Sequence, residues 1–185
     1  GIEISNDGTP RFPDAFVPSE ELDLFLARKT ASSAMVEDLS MLPIPFAAPA
    51  TNLVTGKRVV MQKDCTLSQA MRASMSVPGA FSPAKRGDEL LVDGGLVDNL
   101  PVDLAREMGA DIIIAVNVGT PLSGREQLND VVGVMSQMVN LLTEQNVTAS
   151  LASLSDRDIL IRPELKDYTS ADLDKSREII AVGEA

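Results

Sequence analysis

Asp93 closes a short apolar run and is followed by two glycines in "LVDGGLVDNLPVDLA". A carboxylate in that setting has three kinds of work open to it. It can fold back on the backbone as a cap or Asx-turn, with glycine supplying the tight turn. It can take a proton as a general base when a nucleophile stands within hydrogen-bond reach. With other carboxylates it can hold a hard metal ion. Asp98 and Asp103 follow closely, but Asp103 falls inside a predicted helix and need not face the other two. Asp98 and Asn99 compete for the capping role at "VDNLP", and Asp93 lies several residues too early for it.

The chain contains no histidine. A Ser-His-Asp triad and a His-bearing zinc site built from this chain's own residues are therefore excluded. Cys65, the single cysteine, has no imidazole to activate it and reads as a small core side chain. It cannot close an internal disulfide, so the redox compartment is not legible. Serine hydrolysis stays open if an aspartate itself accepts the hydroxyl proton, since a Ser-Asp dyad meets the same geometric demand.

What must position Asp93 is a strand end. "ELLVDGG" reads as a short strand stopping at Asp93, and ligand sites in open α/β sheets gather at the carboxyl ends of strands. Gly94 and Gly95 permit close approach of another backbone or a positive φ. "NLPVDLAREMGA" follows as a helix with an Asn cap, an early proline and a terminal Gly109. "DIIIAVNVGTP" is the clearest strand: Ile112 to Val116 run without alternation, as in a parallel strand covered on both faces. Strand, helix, strand in that order predicts a βαβ crossover.

Upstream, "SEELDLFLARKT" predicts a helix capped by Ser19, with Leu22, Phe25 and Leu26 on its apolar face. Pro43, Pro45 and Pro49 confine "SMLPIPFAAPATNL" to an edge strand or extended segment. "TGKRVVMQ" reads as a hairpin turning at Thr55-Gly56. "CTLSQAMRASM" carries the capping box Thr66–Gln69, with Leu67, Ala70, Met71 and Ser74 on one face, and Pro78 ends that helix. Downstream lie a long helix from Glu126 to about Leu154, a strand "DILIRP" and a closing helix capped by Ser170. Leu128, Val131, Val132, Met135, Met138, Val139 and Leu142 form a stripe that suits either the core or a plastic acyl-chain groove. The expected class is α/β, with a mostly parallel central sheet flanked by helices, in a single domain over 1–185.

The composition, 44% hydrophobic and 23% charged, is that of a globular chain. A net charge of −11 opposes phosphate backbones and anionic headgroups, which disfavours nucleic-acid binding and electrostatic membrane recruitment. A hydrophobic route to lipid stays open. No apolar stretch approaches the roughly 20 residues of a membrane-spanning helix. "GIEISNDGTP" has no signal-peptide pattern and starts without Met, so a piece of a longer polypeptide is expected.

From Arg72 to Gly119, "RASMSVPGAFSPAKRGDELLVDGGLVDNLPVDLAREMGADIIIAVNVG" resembles the C-terminal catalytic block of the patatin-like phospholipases. The shared features are Arg-Ala-Ser-x-Ser-x-Pro-x-x-Phe, Asp-Gly-Gly, Asn-x-Pro, and Gly-Ala-Asp before an apolar strand. "LPIPFAAPATNLVTGKRVV" is similar as well, and "GTPLSGREQLNDVVGVMSQMVNLLTEQNV" most resembles bacterial members whose lipase domain can be joined to an outer-membrane module. The resemblance implies a three-layer sandwich, incomplete here, and a lipid acyl hydrolase working through a Ser-Asp dyad. Asp93 is then the base, Gly94 and Gly95 the active-site turn, and no metal or organic cofactor is needed.

In that family the serine sits in a Gly-x-Ser-x-Gly elbow after a Gly-rich oxyanion loop. Neither motif occurs in these 185 residues. Ser74, Ser76 and Ser82 lack the flanking glycines, and Ser74 and Ser76 read as residues that cap or pack the turn before Pro78. The expectation is thus the later portion of a patatin-like domain, lacking its nucleophile segment. Its partners would be a lipid or ester substrate and the missing N-terminal part of its own domain. Its setting would be bacterial, cytoplasmic or exported and outer-membrane-linked. Two rivals stand beside this reading. One is a non-catalytic binding or assembly module with Asp93 as a turn residue. The other is a metal-assisted phosphatase using Asp93 and Asp98.

Overall fold

The computed structural model describes residues 3–4, 10–11, 19–120, 122, 124–129, 131–165, 168 and 172–184. They gather into two compact units, Gly1–Gly95 and Leu96–Ala185. The class is α/β, as expected, but its larger sheet is antiparallel.

In the first unit, β1 (Glu3–Ile4) and β2 (Pro10–Arg11) pair as a short antiparallel ribbon. Helix α1 (Ser19–Lys29) starts with Glu20 and Glu21 and ends with Arg28 and Lys29, charges that suit its dipole at both ends. Leu26 is buried, whereas Phe25 is 54% exposed, so the apolar face is narrower than its sequence implies. The Lys29 ammonium covers the Phe25 ring from 5.6 Å.

Four further strands form one sheet in the order β4-β3-β6-β5: β3 (Ala48–Asn52), β4 (Arg58–Met61), β5 (Ala84–Arg86) and β6 (Glu89–Asp93). Every pairing in it is antiparallel. The cause lies in the connections. A tight turn with Gly56 at φ +66° joins β3 to β4, and Gly87–Asp88 joins β5 to β6, with Gly87 at φ +56°. Parallel pairing needs a crossover of a dozen residues or more, which these links are too short to provide.

Strand β3 is an inner strand, not the edge strand that its prolines suggest. The Asn52 N–H donates to the Lys57 carbonyl on the β4 side, and the Leu53 N–H to the Leu90 carbonyl on the β6 side. Alternation sends the nitrogen of Pro49 toward β6. The β3–β6 ladder begins only at Ala50 and Asp93, so the missing donor falls where β6 has already ended. Helix α2 (Leu67–Ser74) lies on this sheet, opened by the capping box expected of Thr66 and Gln69. Ala70 and Ala73 meet Ala48, Ala50, Met61 and Leu91, small residues that let helix and sheet approach closely.

The second unit holds α3 (Val102–Glu107), β7 (Ile114–Val116), α4 (Val131–Ala152), β8 (Ile159–Ile161) and α5 (Ser176–Glu184). Here β7 pairs in parallel with β8, not with β6, so the parallel crossover runs through α4 rather than α3. Helix α3 is capped by Pro101 without a side-chain hydrogen bond; the N–H of Asn99, the expected cap, donates to Asn146 Oδ1 at 2.8 Å. Ser170, the expected cap of the last helix, lies outside the described residues.

Asp158 ties this unit together. Its side chain is out of solvent, accepting from Ser155 N–H and Oγ–H, from Ile113 N–H at 2.9 Å, and from the Arg106 guanidinium. The Ser155 N–H first, then the Ile113 N–H, hold its carboxyl well below the usual range. The run Ile112–Val116 is covered on one face only: Ile113 and Ala115 are buried, Ile112, Ile114 and Val116 exposed. On α4, Val147 packs with Leu151 and Leu154 into the core, while Val131, Met135, Met138 and Leu142 are exposed. Leu128 and Val139 are half-buried, and the side chain of Val132 lies outside the described residues. The stripe is thus not core within this chain.

Gly94 provides the sharpest check on this architecture. A Cβ there would stand 2.2 Å from the Pro49 carbonyl oxygen and 2.5 Å from its carbon, both backbone atoms with little room to yield. Gly94→Ala is expected to lower stability by about 2 kcal/mol, as overpacking does. Gly124→Ala, where nothing lies within 4 Å, should be close to neutral. Denaturation midpoints of the two variants make the comparison, and equal midpoints would refute the close approach.

Candidate active site

Asp93 is the last residue of β6, on the side of the strand that also carries Leu91, because side chains alternate with period two. Its cross-strand partner Ala50 is fully buried beneath α2. Three contacts fix the backbone and one carboxylate oxygen. The Asp93 N–H donates to the Ser76 carbonyl at 3.0 Å. The Thr51 hydroxyl donates to the Asp93 carbonyl at 2.8 Å. The Gly95 N–H donates to Asp93 Oδ1 at 2.7 Å, across the 3₁₀ turn Gly94–Leu96.

That last contact is the Asx-type turn anticipated as one of the roles of Asp93. It occupies one oxygen, and among the described residues Oδ2 accepts no hydrogen bond. The side chain is half-buried. Burial raises its pKa above the ordinary aspartate value, with the Gly95 N–H opposing. The result is a carboxylate held by its backbone, more basic than a surface aspartate, with one oxygen uncommitted. Such a group can accept a proton from a hydroxyl brought within reach.

The other candidates separate from it. Ser76 is fully buried, its Oγ–H donating to the Arg72 carbonyl at 2.6 Å, so it packs the turn as expected. Ser74 is half-buried, and Ser82 offers its carbonyl to Arg72 at 2.9 Å. Asp98 is buried and Asp103 exposed, with Asp103 Oδ1 accepting from the Leu104 N–H. Among the described residues, no three or more Asp, Glu, Cys or His side chains stand close enough to hold a metal ion. Cys65 is buried, and burial pushes its thiol pKa up, the opposite of an activated nucleophile.

A cavity of about 1050 Å³ in the first unit lies over α2 and β5, lined by Leu26, Met61, Cys65, Arg72 and Leu91 among others. Asp93 is not part of its wall. Thr51 was left unremarked in the sequence, and Arg72 was noted there only as the first residue of a motif, with no contact assigned to it. Arg72 is only 7% exposed although it sits in an α2 position that looks solvent-facing. The i, i+4 spacing of Arg72 and Ser76 was the available signal.

The chain is α/β, with an aspartate-glycine turn at a strand end and no histidine among its 185 residues. Comparison with known proteins narrows this. Residues 2–106 match the family model for patatin-like phospholipases. An uncharacterized NTE family protein of Mycobacterium tuberculosis is 40% identical over 86 residues, covering 46% of this chain and 24% of that protein. Mouse patatin-like phospholipase domain-containing protein 7 is 31% identical over 172 residues, covering 80% and 12%. Lysophospholipase NTE1 of Debaryomyces hansenii is 34% identical over 137 residues, covering 62% and 9%. The chain belongs to the patatin-like phospholipase family. It spans a quarter or less of the length of these relatives.

The raised pKa of Asp93 has a sign that can be tested. A group with a raised folded-state pKa adds stability below its unfolded value, about 3.9 for aspartate, and loses it as pH rises through the folded value. At neutral pH the ionised carboxylate therefore costs stability. Asp93→Asn keeps an acceptor for the Gly95 N–H and removes the buried charge. Its Tm at pH 7 is expected to equal or exceed that of the parent, with the advantage shrinking as pH falls toward 4. Thermal scans across that range decide it; a variant distinctly less stable at pH 7 would contradict the desolvated carboxylate.

Proposed function

We propose that this chain is the later part of a lipid acyl hydrolase domain, in which Asp93 is the general base toward a serine carried on polypeptide outside these residues. The serine hydroxyl gives its proton to Asp93 Oδ2 as its oxygen attacks the ester carbonyl. The alcohol leaves with that proton, and water, deprotonated by the same carboxylate, releases the fatty acid. The single observation that carries this reading is the anchored, half-buried Asp93 with one oxygen uncommitted and its pKa raised. Family membership supports it, since the chemistry asks for no histidine and the chain has none.

Lysophospholipids are the substrates to try first, because one relative carries the name lysophospholipase. The apolar surfaces of β7, β8 and α4 support a further partner, the remainder of the same domain: Ile114, Ile159 and Met138 are each half exposed or more. A parallel two-stranded sheet with an open apolar face is not a stable end point, since parallel sheets are normally covered on both sides. Among the described residues no helix is long and apolar enough to cross a membrane.

The Gly95 N–H contact favours a second reading, a binding or assembly module in which Asp93 only shapes its turn. Fatty-acid release from a lysophospholipid by the full-length protein that contains this chain separates the two. Asp93→Asn should reduce turnover by about three to four orders of magnitude. EDTA should leave turnover unchanged. Activity within about tenfold of the parent would end the assignment of Asp93 as base and favour the module.

A further inference from the structure

Arg72 is buried, and its fork reaches across the chain reversal that follows α2. Nη1 donates to Ser76 Oγ, Nη2 donates to the Ser82 carbonyl at 2.9 Å, and Nε lies 3.0 Å from Asp23 Oδ1 on α1. Ser76 Oγ in turn donates to the Arg72 carbonyl at 2.6 Å. One side chain thus holds both ends of the loop 76–82. The carbonyl of that same Ser76 receives the N–H of Asp93.

A surface position on a short helix would not ordinarily hold a buried guanidinium. Taking the charge out of water is costly unless its donors are satisfied. A planar fork that meets two acceptors at once fixes geometry in a way a lysine cannot. The two acceptors here belong to a segment that also contacts the backbone of Asp93.

We propose that Arg72, acting through Ser76, is a positioning residue that sets the orientation and dryness of Asp93. This rests on Asp93 being the base of an ester hydrolase. The path is short, two hydrogen bonds joined within one residue: guanidinium, Ser76 hydroxyl, Ser76 carbonyl, Asp93 N–H. Loosening it lets the strand end drift and admits water to the carboxylate. The first effect lowers turnover, because misplacement of about 1 Å can cost roughly a hundredfold. The second brings the carboxylate back toward its ordinary pKa.

The test uses the full-length protein and three variants, Ser76→Ala, Arg72→Lys and Arg72→Lys/Ser76→Ala. Ser76→Ala removes one oxygen from a buried site and is the variant least prone to misfold. Expected for Ser76→Ala is a fall in kcat of roughly tenfold or more with KM within about twofold. The acid limb of the kcat/KM profile should move to lower pH. The double variant should be little worse than the worse single one, since both act along one path. Wild-type kcat and acid limb in Ser76→Ala, with Asp93→Asn inactive, would overturn the positioning role and leave the hydrolase reading standing. Retained activity in Asp93→Asn would overturn both. Should Arg72→Lys fail to fold, Ser76→Ala alone decides.

Discussion

The chain has to turn at the end of β6 within contact distance of another backbone, and the rest of the site follows from that. Gly94 passes so close to the Pro49 carbonyl that no side chain fits between them. Because it passes there, the Gly95 N–H comes back to Asp93 Oδ1. Because Pro49 has no N–H, no donor is stranded where the β3–β6 ladder stops. Proline on one strand and glycine on the other are two halves of one device: each removes an atom that the close crossing could not tolerate.

An aspartate is a poor base in water, because its conjugate acid loses its proton near pH 4. Two means could make it more effective without histidine. Burial raises its basicity, and a fixed backbone removes the search for a productive orientation. Both are present at Asp93, and the first works against folding at neutral pH, since desolvation raises the cost of the ionised carboxylate. The Asx contact with Gly95 is therefore not an alternative to chemistry in any exclusive sense. It orients the group while leaving the second oxygen available.

The local parts of this arrangement were legible in the residues. The end of β6 at Asp93, the Thr66–Gln69 capping box and the turns at Gly56 and Gly109 all come from short-range chemistry that a sequence states directly. The mostly parallel central sheet was not borne out: the larger sheet is antiparallel, and although the run Ile112–Val116 does yield a parallel strand, its residues do not say which strand lies beside it. Pairing is set by connection length and by partners far along the chain. Pro49 misled for a related reason: proline forbids one hydrogen bond, not an inner position, and which side that bond faces depends on register. The burial of Arg72 was not legible, because a charged residue on a helix is usually solvated, and of its partners Ser76, Ser82 and Asp23 only the first stands at a helical spacing.

The two units also differ in how far their own residues satisfy them. In the first, α2 covers Ala50 and Leu91, while Asp93 at the strand end stays half-buried. In the second, a polar framework is in place: Asp158, its side chain out of solvent, gathers Ser155, Ile113 and Arg106 into one network. Its apolar framework is not, with Ile112, Ile114, Val116 and Ile159 exposed on a two-stranded parallel sheet. Hydrogen bonds of that quality specify a single geometry, but net stability comes chiefly from apolar burial. A strand pair fixed so firmly in shape and yet so little covered leaves an apolar face open, which is what supports the covering partner proposed above. Its exposed residues are β-branched and aliphatic, which suits packing against further sheet or helix better than contact with water.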